Sequence, residues 1–381
     1  MEIKKRFWQI LIGVIGLSLF FIIPISLIET GGEKPHDEET NHSETDKKFD
    51  ATALIFDHIG DAYSWHLFTK NGKHVAVPLP IIVYSNITGL NVFLSSKLEH
   101  GHHHNGFYIA QEGEYEGKIV ESSGNVHNNH GITTEITEQE SHSEAAVTRP
   151  LDFSITKNVF EMFLSAFILL WIFISVGRSY KKRGVTSAPK GLQGFIEPII
   201  LFVRDDIARP NIGEHKYQKF MPYLLTVFFF IWVNNLMGLI PFFPFGSNVT
   251  GNIAVTLVLA TFTMLITNFS GNKNYWKHIF ATPGVPWPMR IIMAPVELIG
   301  VISKPFALMI RLFANITAGH IIILSLVSMI FIFKSIYIAP VSIAMGLFMS
   351  MLELLVAALQ AYVFTLLSAL FIGLAVEEEH H

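Results

Sequence analysis

Five ionisable side chains lie inside the long apolar runs near the C-terminal end of this 381-residue chain: Glu297, Lys304, Arg311, His320 and Glu353. The last three are the strongest candidates for chemistry. An ionisable group at membrane depth is costly, so such groups are rare there and mark functional sites. The Arg311 guanidinium stays protonated and acts as a fixed positive charge. A histidine beside a buried carboxylate can pass a proton, because imidazole changes its charge near neutral pH. These residue types therefore point to proton transfer within a membrane.

Helical spacing decides which of these groups can meet. One set of residues recurs at three- and four-residue steps and so shares a helix face: Ala307, Arg311, Ala314, Asn315 and Ala318. Small side chains let another helix approach closely, so we expect Arg311 to face a moving partner that carries a titratable acid. His320 follows Arg311 by nine residues, half a turn out of phase, and should point toward Glu353 across a hairpin. Glu353 and Gln360 are seven residues apart and share a face of the last helix.

Each of these residues also has a structural interpretation. Arg311 can pair with Glu353 and hold two helices together, and His320 can be a hydrogen-bonded histidine of the helix core. A set of polar groups on two earlier helices can bond helix to helix or line a wet path: Asn234, Asn235, Asn252 and Thr256. The presence of the arginine, the histidine and the acid together favours the proton-transfer interpretation.

Five apolar segments are predicted to cross a bilayer: 159–176, 221–240, 253–269, 291–332 and 335–376. As a helix, segment 291–332 would be about 63 Å long, far more than a perpendicular crossing needs. The last two helices must therefore be strongly tilted, or broken near Pro295, Pro305 and Pro340. Basic clusters at 178–183 and 273–277 mark the inner side. Residues 184–219 are predicted to hold an amphipathic helix at that interface.

Composition divides the chain into two parts. Residues 29–150 hold 19 acidic and 8 basic side chains and 12 of the 17 histidines, whereas the remainder holds 12 acidic and 19 basic side chains. The basic surplus lies in short clusters beside apolar runs, which indicates a membrane rather than nucleic acid as the partner. With no cysteine, the chain cannot form disulfides, a thiol active site or a cysteine-ligated metal site.

The predicted fold class is an all-α polytopic membrane protein of about five membrane helices, with a small N-terminal β-rich extramembrane domain. Residues 1–28 form a signal peptide or a signal anchor, because a basic start precedes an apolar run. Residues 29–150 form an outer, periplasmic segment, with short β-rich runs at about 51–121 between polar linkers. The membrane domain covers 151–376, and the acidic tail 377–381 is placed in the cytoplasm.

A cluster of histidines stands out in the outer segment: His100, His102, His103 and His104. Imidazole-rich tracts can bind zinc, copper or nickel. The cluster can equally be a solvated loop, or it can collect protons near a channel mouth, since histidine titrates near neutral pH. These four residues are therefore only weak candidates for a metal site.

Three runs of sequence resemble subunit a of F-type ATP synthases. KPFALMIRLFANITAGH at 304–320 resembles the family signature K-P-x-x-L-x-x-R-L-F-x-N-x-x-A-G. ELLVAALQAYVF at 353–364 is similar to the family's last helix, and NNLMGLIP at 234–241 is close to its N-L-x-x-L-[IL]-P. The runs stand in the family's order, and the resemblance covers roughly 155–376. Residues 29–150 are a departure, because the family pattern does not require them.

The resemblance implies a role for each matching residue. Arg311 falls on the family's essential stator arginine, with Asn315 and Gln360 as its polar neighbours. His320 and Glu353 fall on the coupled positions of the outer half-channel, where some members have the acid first and the histidine second. Asn235 matches the asparagine of the earlier helix, which lines the channel.

The resemblance also implies a function and partners. Two proton half-channels and the stator arginine would couple proton translocation to rotation of the c-ring and to ATP synthesis, in a bacterial inner membrane. The partners would be the c-ring, subunit b of the peripheral stalk, lipid and protons, with no cofactor. The coupling ion stays open between H⁺ and Na⁺, because its ligands lie mainly on the c-ring. This chain would be a non-catalytic subunit, since it has no glycine-rich phosphate-binding loop.

Two other functions fit parts of the sequence. A metal transporter or sensor would use the outer histidines as its receptor, but it leaves Arg311 unexplained. A structural anchor for the outer domain would not need a buried arginine and histidine.

Overall fold

The computed structural model describes residues 61–70, 73–98, 101–110, 115–122, 147–184, 188–240, 242–280, 286–335 and 337–377, with a few positions between 52 and 60. The described residues form two units. The smaller holds 61–161 with Phe242–Pro244, and the larger holds the residues after 161 apart from those three. The predictions for 1–28, for the 29–50 linker, for His100 and for most of the acidic tail lie outside the described residues.

The described strands of the smaller unit are β1 (Ser64–Lys70), β2 (Lys73–Pro78), β3 (Pro80–Ser85), β4 (Gly89–Leu94), β5 (Phe107–Ile109), β6 (Ile119–Ser122), β7 (Val147–Thr148) and β8 (Leu151–Asp152). β1 pairs with β2, β3 lies between β4 and β8, and β6 lies between β5 and β7, all antiparallel. β7 lies at the end of the stretch after residue 121 that the sequence indicates to be a polar linker, and β8 lies at the start of the segment assigned to the membrane domain.

The core of the smaller unit follows from the alternation of β3. Ile81 and Val83 are fully buried, whereas Tyr84 on the other face is exposed, as expected for a strand with one buried face. Phe93 of β4 and Phe107 of β5 pack into the same cluster. A sheet that buries one face in this way leaves its other face to water or to a partner.

The described helices are α1 (Lys157–Arg183), α2 (Leu192–Phe202), α3 (Arg209–Ile212), α4 (Tyr217–Gly238), α5 (Ile253–Ser270), α6 (Lys273–Phe280), α7 (Trp287–Phe333) and α8 (Ala339–Val376). A π-helical turn, Val203–Ala208, joins α2 to α3 in the segment predicted to be amphipathic. Among the described residues five helices, α1, α4, α5, α7 and α8, are long and apolar enough to cross a membrane. The predicted fold class is confirmed.

The last two membrane helices are continuous. Pro295 and Pro305 lie inside α7, so the expectation of breaks at these prolines is wrong. A proline inside a helix removes one hydrogen bond, and a membrane helix tolerates the loss where its surroundings satisfy the freed carbonyl. Pro340 lies in the first turn of α8, where its missing N–H costs nothing. At 47 residues α7 is about 70 Å long, and a helix of that length must tilt strongly to lie in a bilayer.

Helix α8 lies at the centre of the larger unit and packs against α4, α5 and α7. Gly373 lets its last turns approach α3 so closely that a Cβ there would lie 1.8 Å from the Asn211 carbonyl oxygen. At the end of the helix, Lys216 Nζ and Asn272 Nδ2 donate to the Val376 carbonyl at 2.8 and 2.9 Å. These contacts fix the end of α8 against α3, the start of α4 and the turn between α5 and α6.

Candidate functional site

His320 of α7 and Glu353 of α8 meet in the structure. His320 Nδ1 lies 3.2 Å from Glu353 Oε1. The glutamate side chain is 7% exposed and the histidine 18% exposed. A carboxylate withdrawn from water in this way needs a positive partner or a proton, and a protonated imidazole at this distance can supply either.

A glycine makes room for the carboxylate. A Cβ on Gly319 would lie 2.4 Å from Glu353 Oε1, so the glutamate packs directly on the α7 backbone. Gly238 of α4 has a different part, since a Cβ there would lie 3.0 Å from the Ser247 carbonyl oxygen of the loop after α4 and only at contact distance, 3.8 Å, from His320 Nε2. The small residue that lets the acid approach the histidine is therefore Gly319.

The pair faces a small cavity of about 10 Å³, room for about one water molecule. The cavity lies between α4, α7, α8 and the loop after α4, and its polar lining residues are Asn234, Asn235, Ser247, Asn248, Thr250, His320 and Glu353. Buried polar atoms that line a cavity are normally satisfied by water. This arrangement is that of a narrow wet pocket within the helix bundle.

Several polar atoms at this cavity have no hydrogen-bond partner among the described residues. They are Asn234 Oδ1, Asn248 Nδ2 and both carboxylate oxygens of Glu353. The 3.2 Å contact between His320 and Glu353 is therefore an ion-pair distance without hydrogen-bond alignment. Buried polar atoms without a partner cost free energy, so we expect water to bond to these atoms.

Asn235 connects the helices around this pocket. Its Nδ2 donates to the Ala357 carbonyl of α8 at 3.3 Å, one turn after Glu353. Its Oδ1 accepts from Thr250 Oγ1 at 2.5 Å. Because the side chain is buried and both ends are used, Asn235 holds α4, α8 and the loop after α4 in register.

Arg311 lies on a different face of α7. The face is exposed at each position that the helical spacing assigns to it: Ala307, Arg311, Ala314, Asn315 and Ala318. Leu308, Leu312 and Ile316 on the adjoining side of the helix are buried in the bundle. Among the described residues Arg311 has no ion pair, so the structural interpretation that pairs it with Glu353 is wrong.

A second cavity lies toward the other end of α7. Its polar lining comes from Thr263, Thr267 and Asn268 of α5, Tyr275 of α6, and Lys304 of α7. Lys304 Nζ lies 5.8 Å from the centre of the Phe371 ring. Along α7, Arg311 lies seven residues from Lys304 and nine from His320, about 10 and 14 Å of helix rise. The arginine thus lies at an intermediate height between the two cavities.

The remaining residues that the sequence singled out, Gln360, Asn252 and Thr256, do not line the first cavity. Gln360 is buried in α8. Asn252 caps α5, its Oδ1 accepting from the Ala254 N–H at 2.9 Å. Thr256 is fully buried and bonds to the backbone of the same helix turn at 3.1 Å. These two groups therefore build the start of α5 rather than the pocket.

Sequence reasoning missed the polar loop residues Ser247, Asn248 and Thr250. Their signal is weak, because serine, asparagine and threonine are ordinary loop residues. The fold places these three loop residues beside the motifs of α4, α7 and α8, and their own spacing in the sequence does not indicate this. Gly319 was also missed, although its position beside His320 is a usable signal.

Two of the described outer histidines, His103 and His104, have neighbours other than metal-ligating side chains. His104 Nε2 lies 3.3 Å from Lys97 Nζ, and the His103 ring lies 4.6 Å from the Tyr108 ring. Burial, helped by the Lys97 ammonium, lowers the pKa of His104. Within the described ranges, His, Asp and Glu side chains do not come together in groups of three that could hold a metal ion.

Comparison with known proteins decides the family. The family model for the ATP synthase A chain matches residues 159–373, which hold the first cavity, Arg311 and both long helices. The chain belongs to this family. Members are multi-pass membrane proteins of the proton-translocating ATP synthase complex. A second model, for a domain of unknown function, matches residues 54–153.

Several curated relatives of the chain come from bacteria. The chain is 53% identical over 235 residues to ATP synthase subunit a of Chloroherpeton thalassium, which covers 60% of this chain and 69% of the relative. It is 46% identical over 271 residues to ATP synthase subunit a 2 of Prosthecochloris aestuarii, covering 68% and 82%. Subunit a of an Anaeromyxobacter species is 44% identical over 266 residues, covering 65% and 63%. The predicted family and its function in ATP synthesis and proton transport are confirmed.

Proposed function

We propose that the two faces of α7 have different functions in this subunit. The exposed face with Arg311 and Asn315 receives the rotating c-ring, and the buried face with His320 meets Glu353 in the outer half-channel. The observation that carries this proposal is the pairing of an exposed, partner-free arginine face with an acid–histidine pocket on one helix. Gln360 lies buried on α8, seven residues after Glu353, where it supports the helix behind the arginine.

A proton entering from the outer side passes the first cavity, where Glu353 and His320 exchange it. The unpaired oxygens of Glu353 make it an acceptor, and the adjacent imidazole both stabilises its anion and carries a proton itself. Asn235 holds the pocket walls through its bonds to Thr250 and Ala357. The proton then neutralises a carboxylate on the c-ring, which can turn through lipid only when it is uncharged.

Release occurs beside Arg311. Its fixed positive charge favours the ionised form of the c-ring carboxylate and so lowers the pKa of that acid. The proton leaves toward the inner side, where the second cavity near Lys304 is a suitable exit. Arg311 cannot relay a proton, so it also prevents a direct leak between the two cavities.

We place the acidic outer segment 29–150 in the periplasm and the C-terminus in the cytoplasm. The support is the basic cluster in the last turns of α1, which includes Arg178, Lys181 and Lys182. The c-ring and subunit b of the peripheral stalk are the expected partners within the complex. The c-ring would cover the Arg311 face, which no part of the described chain covers.

Replacing Arg311 tests the proposal. In the assembled complex, Arg311→Ala should abolish both ATP-driven proton pumping and proton-driven ATP synthesis, with the subunit present at its normal level. Ile310→Ala, at the neighbouring exposed position, is the matched control and should keep both activities. Pumping that survives Arg311→Ala would contradict the proposed role, and loss of the subunit from the complex would indicate a structural one.

A further inference from the structure

One face of the sheet formed by β4, β3 and β8 is apolar and uncovered. The register places two rows of side chains across the three strands: Leu151, Tyr84 and Leu90 in one row, and Phe153, Ile82 and Val92 in the next. Residues directly opposite one another on neighbouring strands share a face. Five of the six are exposed to between 45% and 65%, and Ile82 is half-buried.

This patch differs from the surface of an ordinary soluble domain. Contiguous apolar patches of this kind mark interaction sites, and no charged residue interrupts either row. The other face of the same sheet is fully used, because Ile81, Val83 and Phe93 are buried in the core of the unit. The apolar residues of the two rows therefore lie outside the core of the smaller unit.

The sheet is tied directly to the start of a membrane helix. Phe153 lies four residues before Lys157, the first residue of α1, which is at most about 13 Å of extended chain. The Ile155 N–H donates to the Pro80 carbonyl of β3 at 3.0 Å, and the Lys157 N–H donates to the Ala62 carbonyl at 3.0 Å. These bonds leave no free linker between the patch and the helix.

Aromatic packing within the smaller unit strengthens the same attachment. The Trp65 ring of β1 lies 5.9 Å from the Phe160 ring in the first turn of α1 and 5.6 Å from the Phe243 ring. Trp65 is buried. The sheets and the first turn of α1 are therefore one packed body.

The length of α1 places its first turn at the edge of the bilayer. From Lys157 to Arg178 is about 31 Å of helix rise, which equals the thickness of the hydrocarbon core. With Arg178 at one interface, Lys157 lies at the other, and the two rows of the sheet lie within reach of the lipid headgroups. Amphipathic helices at that depth bury their apolar face about 5–10 Å into the boundary between headgroups and acyl chains, and an apolar sheet face can bury its side chains in the same layer.

We propose that the apolar face of the β4–β3–β8 sheet docks on the lipid surface beside α1. Tyr84 fits this position, because tyrosine favours the interface with its ring in the apolar layer and its hydroxyl in water. The occupant is lipid rather than another protein, since the patch is fixed to the point where α1 enters the bilayer. The outer unit would then be attached to the membrane in two ways, through α1 and through the apolar face of its sheet.

Spin labels test the proposal, and the absence of cysteine from the natural chain makes single-site labelling clean. The full-length chain is assembled into a cysteine-free ATP synthase complex and reconstituted in phosphatidylcholine vesicles. Nitroxides are attached to Val92→Cys and Leu151→Cys, with Leu90→Cys as a substitute should either variant fail to assemble. Collision with oxygen, which partitions into lipid, is compared with collision with a water-soluble nickel chelate.

The expected result is several-fold greater oxygen accessibility at 92 and 151 than at Glu116→Cys, an exposed polar position of the same unit. The values should approach those at Phe167→Cys on α1. Asn91→Cys, between Leu90 and Val92 but on the opposite face, is the matched control and should show low oxygen accessibility. High nickel accessibility at 92 and 151 would overturn the proposal in favour of a water-facing surface. Low accessibility to both reagents would overturn it in favour of a covering protein.

Discussion

His320 Nδ1 and Glu353 Oε1 lie 3.2 Å apart across the interface of α7 and α8, in a pocket where neither carboxylate oxygen has a hydrogen-bond partner among the described residues. The pair can hold one proton in two places, on the imidazole or on the carboxylate. Because the groups are chemically complementary, what matters is that one base and one acid face each other, and not which helix supplies which.

Exchanging the two side chains should preserve function. His320→Glu alone brings two acids together, and Glu353→His alone brings two imidazoles together, so each should slow proton-driven ATP synthesis about a hundredfold, within the range for lost acid–base transfer. The double variant His320→Glu with Glu353→His restores one acid and one base and should recover most of the rate. ATP synthesis in inverted vesicles energised by respiration measures all three.

A control for the exchange separates the charge pair from packing. The double variant His320→Gln with Glu353→Gln keeps polar side chains but removes titration, and it should stay as slow as the single variants. A reversed pair that is no faster than its slower single variant would contradict the paired role.

Gly319 should be needed for Glu353 to reach His320. In Gly319→Ala the new Cβ would lie 2.4 Å from Glu353 Oε1. The carboxylate end is flexible and can shift, so the complex should assemble while proton-driven synthesis falls by up to about a hundredfold, as for other misplaced groups. Gly300→Ala on the same helix meets no atom within 4 Å and should be silent.

A compensating change makes the Gly319 prediction specific. Glu353→Asp is shorter by one methylene, so combining it with Gly319→Ala should restore part of the rate that Gly319→Ala alone loses. If Gly319→Ala instead removes the subunit from the membrane, the glycine has a folding role and the prediction fails.

Gly373 should matter for stability rather than for proton transfer. A Cβ there would lie 1.8 Å from the backbone oxygen of Asn211, and a backbone atom cannot swing aside as a carboxylate can. Gly373→Ala should therefore push α8 away from α3 and lower the free energy of unfolding by about 1–3 kcal/mol, the usual cost of overpacking. Thermal unfolding of the purified chain measures this, with Gly346→Ala, which lies in open space on the same helix, expected to be neutral.

The membrane helices and the arginine face could be predicted because their signals are local. A span needs only a long apolar run, and the exposure of Arg311 and Asn315 follows from a spacing of four residues on one helix. The pocket could be predicted only in part, since His320 and Glu353 carry family motifs but Thr250 and Asn248 do not. Their position depends on a loop closed by the Gly246 N–H bonding to the Met237 carbonyl at 3.1 Å, a contact that no periodicity encodes.

The strands were harder to predict for a related reason. β1, with the sequence SWHLFTK, is mostly polar, and its pairing with β2 shifts register between His66 and Phe68, which breaks the alternation that marks a strand. β7 has two residues and pairs with β6 from the far end of a long intervening segment. Continuity of α7 through Pro295 and Pro305 was likewise hidden, because proline is a helix breaker in water but is tolerated where neighbouring groups satisfy the backbone.

His104 should make the smaller unit sensitive to acid. Burial, followed by the Lys97 ammonium 3.3 Å away, lowers the pKa of His104 below its ordinary value of 6.5. The unfolded chain therefore binds a proton at a higher pH than the folded chain does. The contribution of neutral His104 to stability is therefore fully present above about pH 6.5. It is lost as the pH falls from the pKa of the unfolded chain to the lower pKa of the folded chain, because protons then favour the unfolded state.

Hydrogen exchange at the strand beside His104 measures this loss. The Phe107 N–H donates to the His104 carbonyl at 2.9 Å, so its protection, corrected for intrinsic exchange, should fall between pH 7.5 and pH 5.5. Lys97→Met removes the smaller of the two causes and should shrink the fall without abolishing it, because the larger cause, burial, remains. Lys118→Met, an exposed lysine of the same unit, should leave the fall unchanged. Equal protection at both pH values in the natural chain would mean that His104 takes up its proton as readily in the folded unit as in the unfolded chain.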